Sequence, residues 1–211
     1  MEVELYDSVN VGLEPERRDE LMANTLNAVE CPGCGFSFRV DKPLLYNDPT
    51  RGFLVYCLPA EDPLQEDAEQ AFGGELAACA RALPTDIAPP EVHLVFSRSE
   101  MVERIFLLET DMNPRVVEYI KYSIYVQNIE QVDPAEKRLL FDAEDSNEEI
   151  LCFVVQDAAS HRLESMLHYS RSAYQGLCEM FDQDEQTPGL LELFPGPSIS
   201  ARALLLRESQ V

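Results

Sequence analysis

The amino-acid sequence predicts an α+β protein, because strand-like alternation and helical periodicity occur in separate runs rather than in strict alternation. Its 211 residues are 45% hydrophobic and 26% charged, which is typical of a globular fold. A chain of this length buries roughly 70% of its extended surface, so its main core needs neither a metal nor a disulfide. We expect a β-rich N-terminal unit with one inserted helix, followed by an antiparallel sheet with packed helices.

The N-terminal unit is predicted over residues 1–59. Apolar residues that alternate with acidic ones predict an irregular strand over 2–11. Pro15 suits the first turn of a helix, and apolar residues at helical spacing extend that helix to about Asn27. Alternating residues then predict strands over 36–40, 44–46 and 53–58.

The remaining chain divides into a Pro-rich acidic segment and a C-terminal α+β domain. Residues 60–90 predict a linker or insertion with one helix near 64–82, and a lid over a site is the alternative. Residues 91–211 form the second domain, in which residues 163–169 suit either a helix or a third strand. Its other predicted elements are a strand over 92–96, a helix capped by Ser97 and Glu100, a helix after Asn113-Pro114, a hairpin of residues 137–141 and 150–155, a helix over 171–181, a polar loop over 182–197 and a last strand around 199–206.

The charge balance narrows the classes of ligand. The chain carries 39 Asp and Glu against 16 Lys and Arg, which gives a formal net charge of -23. A protein that binds phosphate backbones directly needs clustered Lys and Arg, so we expect no direct nucleic-acid ligand. The excess charge predicts a solvated acidic surface, and a basic protein partner or mimicry of nucleic acid are the sharper interpretations.

Hydropathy and cysteine usage predict a cytoplasmic protein without a membrane segment. Met1 is followed by Glu-Val-Glu rather than by a secretory signal, and no apolar run reaches the ~18 residues that span a bilayer. The six cysteines lack the dense, even spacing of a secreted disulfide scaffold. We expect four of them to be small buried hydrophobic residues, namely Cys57, Cys79, Cys152 and Cys178.

The one chemically specific motif is CPGCG at residues 31–35. Its spacing turns the thiols of Cys31 and Cys34 toward one metal ion, and Gly35 lets the backbone turn beneath the sulfurs. A redox dithiol and an inert turn are the alternatives, although the pattern after Cys34 is that of a strand rather than the helix a redox site favours. The motif predicts zinc ligands at Cys31 and Cys34, which are half of a tetrahedral four-cysteine site.

The sequence around this motif resembles the bacterial CpXC domain family. The resemblance is carried by YDSVNV over 6–11, the predicted helix around 16–26, the CPGCG motif at 31–35, called the knuckle below, and PLLYND over 43–48, with similar segments at 104–106 and 114–118. It implies a zinc-ribbon-like module over residues 1–59 and no particular activity. Members of the family typically carry two CPxC motifs, and the first is missing here, so either the start is truncated or half of the zinc site has been lost.

Other motifs nominate no catalytic group. His93, His161 and His168 lack the spacing of a zincin helix, and we interpret them as structural or surface residues. The acidic stretch 142–149 lacks the Gly and Glu positions of a calcium loop and predicts a solvated hairpin tip. Neither a GxSxG elbow nor a phosphate loop occurs in the sequence.

We therefore expect a non-enzymatic, zinc-ribbon-like interaction or regulatory module with an acidic surface for protein partners. The alternatives are an enzyme whose site uses scattered Tyr, Asp and Glu of the second half, and an acidic mimic of nucleic acid. Two thiolates hold zinc weakly, so we expect substoichiometric zinc in this chain and about one zinc per chain after extension by an upstream CPxC. A zinc site shared between two chains would have to bring acidic surfaces together.

Overall fold

The computed structural model describes residues 3–84, 88–183 and 189–209. Its mixture of helices and separate sheets confirms the predicted α+β class. The chain forms two compact units, Met1–Val102 and Glu103–Val211, and the boundary between them falls within one helix. The predicted domain limits at residues 59 and 90 stay predictions.

A four-stranded mixed sheet forms the base of the first unit. The elements in chain order are β1 (Ser8–Asn10), α1 (Pro15–Met22), β2 (Ala28–Glu30), β3 (Ser37–Arg39), β4 (Leu44–Asp48), β5 (Phe53–Cys57), α2 (Asp62–Ala82), β6 (Glu91–Val95) and α3 (Arg98–Glu109). The strand order is β1-β4-β5-β6, with β4 antiparallel to β5 and parallel pairing on either side. A separate antiparallel hairpin, β2-β3, is inserted between α1 and β4.

Packing in the first unit follows the alternation of its central strands. Strands β4 and β5 bury every second residue, which places Leu44, Tyr46 and Val55 in the core. The buried carboxylate of Asp48 accepts hydrogen bonds from the backbone N–H groups of Thr50 and Arg51, both at 3.0 Å. That side chain closes the turn between β4 and β5. Helix α2 confirms the helix predicted near 64–82 and makes the crossover that the parallel pair β5-β6 requires.

The second unit is an antiparallel sheet with packed helices, as predicted. After the end of α3 it contains α4 (Pro114–Gln127), β7 (Lys137–Asp142), β8 (Ile150–Asp157), β9 (Leu163–Ser170), α5 (Arg171–Gln183), α6 (Leu190–Leu193) and α7 (Ala201–Glu208). The strand order is β7-β8-β9, so residues 163–169 lie in the third strand. Its core joins the sheet to the helices through residues such as Ile120, Leu151 and Phe153.

Both helix starts predicted from capping residues are confirmed. The Ser97 hydroxyl oxygen accepts from the backbone N–H of Glu100 at 3.2 Å, and the Glu100 carboxylate accepts from the N–H of Phe96 at 2.9 Å. The Asn113 side chain accepts from the backbone N–H groups of Arg115 and Val116 at the start of α4. Ser97 and Asn113 thereby pair N–H groups that a helix start leaves without intrahelical partners.

Three predicted elements were wrong in extent or type. Strand β1 covers three residues rather than the predicted 2–11, of which residue 2 lies outside the described part. Helix α1 ends at Met22, because Asn24 and Asn27 take left-handed φ values of 61° and 62° that a helix cannot continue. The predicted last strand around 199–206 is helix α7, since Ser200 caps it by accepting from the N–H of Ala203 and good helix formers follow.

The burial of the cysteines outside the knuckle was predicted only in part. Cys57 and Cys152 are buried and Cys178 is half-buried, but Cys79 is exposed. The alanine-rich sequence around Cys79 favours a helix. It does not bury the thiol, because the last turns of α2 are exposed throughout. Residues 85–87 of the predicted linker and 184–188 of the predicted loop lie outside the described residues. Within the described ranges, no helix has the length and hydrophobicity that crossing a membrane requires.

Candidate metal centre

The CPGCG motif forms the tip of the β2-β3 hairpin. Val29 stands opposite Phe38 in the register, and the backbone N–H of Cys31 donates to the carbonyl of Phe36 at 2.8 Å beyond the last ladder pair. The N–H of Gly35 donates back to the carbonyl of Cys31, also at 2.8 Å. Gly35 has a φ of 69°, so the predicted need for glycine at this turn is confirmed. A strand, β3, follows the motif, as the alternating pattern predicted.

Hydrogen-bond donors of the motif surround the sulfur of Cys31. The Cys31 sulfur accepts hydrogen bonds from the backbone N–H groups of Gly33 and Cys34 and from the Cys34 thiol, and these bonds lower the pKa of Cys31. Such donors stabilise a thiolate, which is the form that binds metal. The side chain of Cys34 is exposed and that of Cys31 is half-buried. This donor set fits half of the tetrahedral shell that zinc takes with thiolates.

The other cysteines lie elsewhere. Cys57 is buried in β5, and burial raises the pKa of its thiol to about 12, which disfavours the thiolate that zinc would need. Cys79 lies on α2, while Cys152 and Cys178 belong to the second unit. Among the residues that the structure describes, no three His, Cys, Asp or Glu side chains are grouped to hold a metal ion. The prediction that this chain offers two zinc ligands, Cys31 and Cys34, stays a prediction.

An exposed aromatic pair flanks the knuckle. Phe36 is 66% exposed and Phe38 46% exposed, and their rings stack with centroids 6.3 Å apart. The alternating pattern predicted a strand over 36–40; Phe38 lies in β3 and Phe36 directly precedes it. The sequence did not predict that the two rings are exposed. The pair was missed because its exposure depends on how the short hairpin projects from the main sheet.

The hairpin is locally neutral on a strongly acidic chain. Over residues 28–42 the acidic groups are Glu30 and Asp41, and the basic groups are Arg39 and Lys42. The Arg39 guanidinium lies 2.9 Å from the Asp41 carboxylate, and Lys42 lies 4.0 Å from Asp7. The formal net charge of -23 therefore resides on other parts of the chain. The surface around the two thiols combines apolar rings with balanced charge.

Asn27 ties the base of this hairpin to the segment that leads into β1. Its side-chain oxygen accepts from the backbone N–H of Tyr6 and its amide donates to the Tyr6 carbonyl, both at 2.8 Å. Its own carbonyl accepts from the N–H of Val40 at 3.0 Å, just after β3. Asn27 is buried, and its side-chain bonds to Tyr6 are partly shielded from solvent. Asn27 thus joins the hairpin base to the segment before β1 through its side chain and closes the base itself through its backbone carbonyl.

We expect Asn27→Ala to lower the free energy of unfolding by about 1–3 kcal/mol, because it leaves the partly buried N–H and carbonyl of Tyr6 without their side-chain partner. Asn24→Ala is the matched control, since Asn24 shares the left-handed backbone and its side chain accepts a hydrogen bond from the Arg39 guanidinium at an exposed position. The difference between the two variants in urea unfolding separates the contribution of the Asn27 amide hydrogen bonds to stability from that of the left-handed backbone. Equal losses in the two variants would show that Asn27 matters only through its φ.

A second polar cluster lies inside the second unit, on α3 and α4. The Lys121 ammonium donates to the carboxylates of Glu103 and, at 2.9 Å, Glu118. Arg104 donates to the carbonyl of Ile199 at 2.9 Å and lies 3.9 Å from Glu118. Burial raises the pKa of Glu103, and the positive charge of Lys121 opposes that rise. All four charged side chains are buried, and this cluster was not predicted from the sequence.

Comparison with known proteins assigns a family to the region that contains the knuckle. A family model described as CpXC protein matches residues 1–121. The chain belongs to the CpXC family. The match covers the whole first unit, then continues through α3 into α4, so the CpXC region extends well past the knuckle. No curated protein and no solved structure matches the chain.

Proposed function

We infer that this CpXC chain is a non-enzymatic, zinc-ribbon-like interaction module whose β2-β3 hairpin contacts a protein partner. The observation that carries the proposal is the stacked, exposed pair of Phe36 and Phe38 beside the two thiols. Exposed aromatic side chains within a surface of low charge are the composition found at the centre of protein interfaces. The hairpin has that composition, whereas the chain as a whole is acidic.

Zinc at Cys31 and Cys34 has a structural part in this proposal. The hairpin is held by few backbone hydrogen bonds, and an isolated two-stranded hairpin is marginally stable in water. A metal held by both thiolates restrains the tip that carries Phe36, because binding energy at a structural zinc site is also folding energy. The metal therefore presents the aromatic pair in one arrangement and needs no open position for catalysis.

The acidic remainder of the chain has a role in selecting partners. A formal net charge of -23 repels other acidic proteins and steers basic ones toward the chain. The aromatic pair supplies the buried contact, and surrounding carboxylates favour a partner with a basic rim. The enzyme and the nucleic-acid mimic remain predictions of the sequence, and so does a cytoplasmic location.

A pair of matched substitutions tests this function. Phe36→Ser removes an apolar side chain that is 66% exposed beside the knuckle, and Leu191→Ser removes one that is 66% exposed in the second unit. We expect zinc-loaded Phe36→Ser to lose the proteins that crosslink to the wild-type chain, while Leu191→Ser retains them. Burying one such ring contributes about 1.5–3 kcal/mol, so the loss should be about tenfold or more in affinity.

The same crosslinking experiment can also contradict the proposed function. In the wild-type chain, the peptides that crosslink to a partner should come from residues 28–42. Mass spectrometry of the crosslinked peptides identifies them directly. Crosslinks confined to α2 or to the second unit would contradict the proposal, and so would equal recovery of partners by the two variants. Turnover of a small molecule that persists in Phe36→Ser would favour the enzyme instead.

A further inference from the structure

We propose that the first unit binds a small carboxylate anion at the Arg98 side chain, where α3 begins. The proposal goes beyond the function proposed above, because it uses neither the knuckle nor the exposed aromatic pair. Arg98 is only 7% exposed, and one terminal nitrogen of its guanidinium, Nη1, is buried. Within the described residues that nitrogen has no hydrogen-bond partner.

A buried guanidinium without a partner is costly, and this cost points to a ligand. Arginine keeps its proton in proteins, so Arg98 brings a full positive charge into the interior. Burial lowers the pKa of Arg98, because the charged form loses its hydration. An uncompensated buried charge is strongly destabilising, whereas a charge that is paired and hydrogen-bonded is tolerated. An anion that pairs with Arg98 removes this penalty.

Among the described residues, the side chains near Arg98 do not balance its charge. Cys57 is buried close enough to influence Arg98, but burial raises the pKa of its thiol to about 12, so the thiol is neutral at pH 7. The Asp41 carboxylate raises the pKa of Arg98, and the Arg39 guanidinium lowers it. These two groups lie 2.9 Å apart and neutralise each other. The charge of Arg98 is therefore left for a ligand.

The topology of the first unit places this charge where ligands commonly bind. Strands β5 and β6 are parallel, with Cys57 opposite Val95, so both strands end at the same edge of the sheet. Helix α3 starts at Arg98, directly beyond the end of β6. The carboxyl ends of parallel strands and the positive end of a helix dipole meet at this point, which is an arrangement that binds anions.

The first turn of α3 offers backbone donors beside the guanidinium. A helix start leaves its first N–H groups without intrahelical partners. In the described first turn, Ser97 accepts from the N–H of Glu100 at 3.2 Å, which leaves the N–H groups of Arg98 and Ser99 to a ligand. These N–H groups and the guanidinium fork can together hold one oxyanion.

A carboxylate fits these donors better than a phosphate does. The planar guanidinium fork matches two oxygens of either group. A phosphate dianion, however, would bring a second negative charge close to Asp41 and Glu100, on a chain with a formal net charge of -23. The small exposed fraction of Arg98 also restricts the ligand to a small acid. The site therefore takes a carboxylate monoanion of the size of formate or acetate.

NMR titration of the isotope-labelled full chain with sodium formate tests the site, with sodium chloride holding the ionic strength constant. We expect saturable shifts of the Arg98 and Ser99 backbone amides with a single dissociation constant. The amide of Cys31 at the knuckle should not shift. Acetate should reproduce the formate shifts. Inorganic phosphate and N-acetylglycine, which resembles the end of a protein chain, should bind more weakly than formate.

Two substitutions of equal charge change separate Arg98 from the general field of the protein. Arg98→Gln should weaken formate binding by about tenfold or more, because charge-assisted hydrogen bonds are lost. Arg81→Gln removes a positive charge from an exposed position on α2 and should bind formate like the wild type. Arg98→Lys keeps the charge without the planar fork, so its affinity should lie between those of Arg98→Gln and the wild type.

Thermal unfolding distinguishes a ligand site from a structural role of Arg98. In chloride, Arg98→Gln should unfold at or above the wild-type temperature, because it removes an unpaired buried charge. Formate at about ten times its dissociation constant should raise the wild-type midpoint by about 3–5 °C. The same addition should leave the midpoint of Arg98→Gln unchanged.

Three results would overturn the carboxylate site. Shifts that do not saturate, or that are equal in Arg98→Gln, would show that formate does not bind at Arg98. A midpoint of Arg98→Gln well below that of the wild type in chloride, with no response of the wild type to formate, would make Arg98 a structural residue. Tighter binding of phosphate or N-acetylglycine than of formate would refute a small free carboxylate as the ligand. Each result leaves the proposed function intact, since these variants change no residue of the β2-β3 hairpin.

Discussion

Lys121→Met is expected to lower the free energy of unfolding by about 3–5 kcal/mol, because it leaves two buried carboxylates without their shared cation. In the wild-type chain Lys121 donates to both Glu103 and Glu118, and all three side chains are buried. Chemical denaturation at neutral pH measures the loss. Methionine is chosen because it fills a similar volume, so the missing charge dominates the effect.

The two carboxylates also anchor distant backbone, which increases the expected loss. Glu103 accepts from the N–H of Phe141 in β7 at 2.9 Å, and Glu118 accepts from the N–H of Ala201 at the start of α7 at 2.8 Å. Without the ammonium between them the carboxylates repel each other, and the hydrogen bonds to β7 and α7 are strained. The substitution therefore acts on the sheet, on α4 and on the C-terminal helix at once.

The loss of folding stability in Lys121→Met should depend on pH, and the protonation of Glu103 determines whether that loss grows or shrinks as the pH falls. Burial already raises the pKa of Glu103, and Lys121 is the main group that lowers it. Removing Lys121 raises the folded-state pKa further above the unfolded value of about 4.3, so the folded state binds a proton that the unfolded state releases. Stability of the variant relative to wild type should rise as the pH falls from about 8 to about 5.

Two further variants keep this prediction falsifiable. Glu103→Gln combined with Lys121→Met leaves Glu118 balanced by Arg104, so the double variant should be more stable than Lys121→Met alone at pH 8. Lys137→Met is the matched control, since Lys137 also contacts two carboxylates, Asp157 and Glu164, but closer to solvent. The control should lose clearly less stability. A double variant no more stable than the single one would contradict the electrostatic account.

Elements with strong local signals were predictable from the sequence. Helix α4 has a capping Asn113, a proline in its first turn and a continuous apolar face, and the β7-β8 hairpin has alternation on both sides of an acidic turn. In these segments local preference and tertiary burial favour the same structure. The α+β class followed from such segments alone.

Errors arose where a tertiary contact or one backbone angle decides the structure. Strand β2 has three residues, too few to show a period, and it exists because it pairs with β3. Helix α1 looked longer because apolar spacing continued to Leu26, but Asn24 ends it in a left-handed conformation. Helix α7 was mistaken for a strand because its leucine run hid the capping role of Ser200.

The candidate site was predictable only at its cysteines. The spacing of Cys31 and Cys34 specifies a local turn, which a sequence reveals directly. The exposure of Phe36 and Phe38 is a property of the folded chain, since alternating aromatic residues ordinarily predict a buried face. The burial of Glu118 and Lys121 has the same origin, because charged residues three apart on a helix usually predict a solvated pair.

Cys31→Ser and Cys34→Ser are each expected to weaken zinc binding by about a hundredfold or more. Loss of an outer-shell partner alone costs about 10- to 100-fold in metal affinity, and each of these substitutions removes a proposed direct ligand. Competition with a chromophoric chelator measures the affinity in the reduced, full-length chain. Cys79→Ser, which removes an exposed thiol on α2, should bind zinc like the wild type. Unchanged affinity in either knuckle variant would place the metal elsewhere.

Removal of zinc should loosen the hairpin tip and spare the second unit. The N–H groups of Cys31 and Gly35 are bonded within the tip to Phe36 and Cys31 carbonyls, so their hydrogen exchange reports its opening. Chelation should speed exchange at these two amides because the metal no longer restrains the thiolates. The amide of Phe141, bonded to buried Glu103, should exchange at the same rate with and without zinc. Equal exchange at the tip in both states would show that its backbone hydrogen bonds alone hold the knuckle.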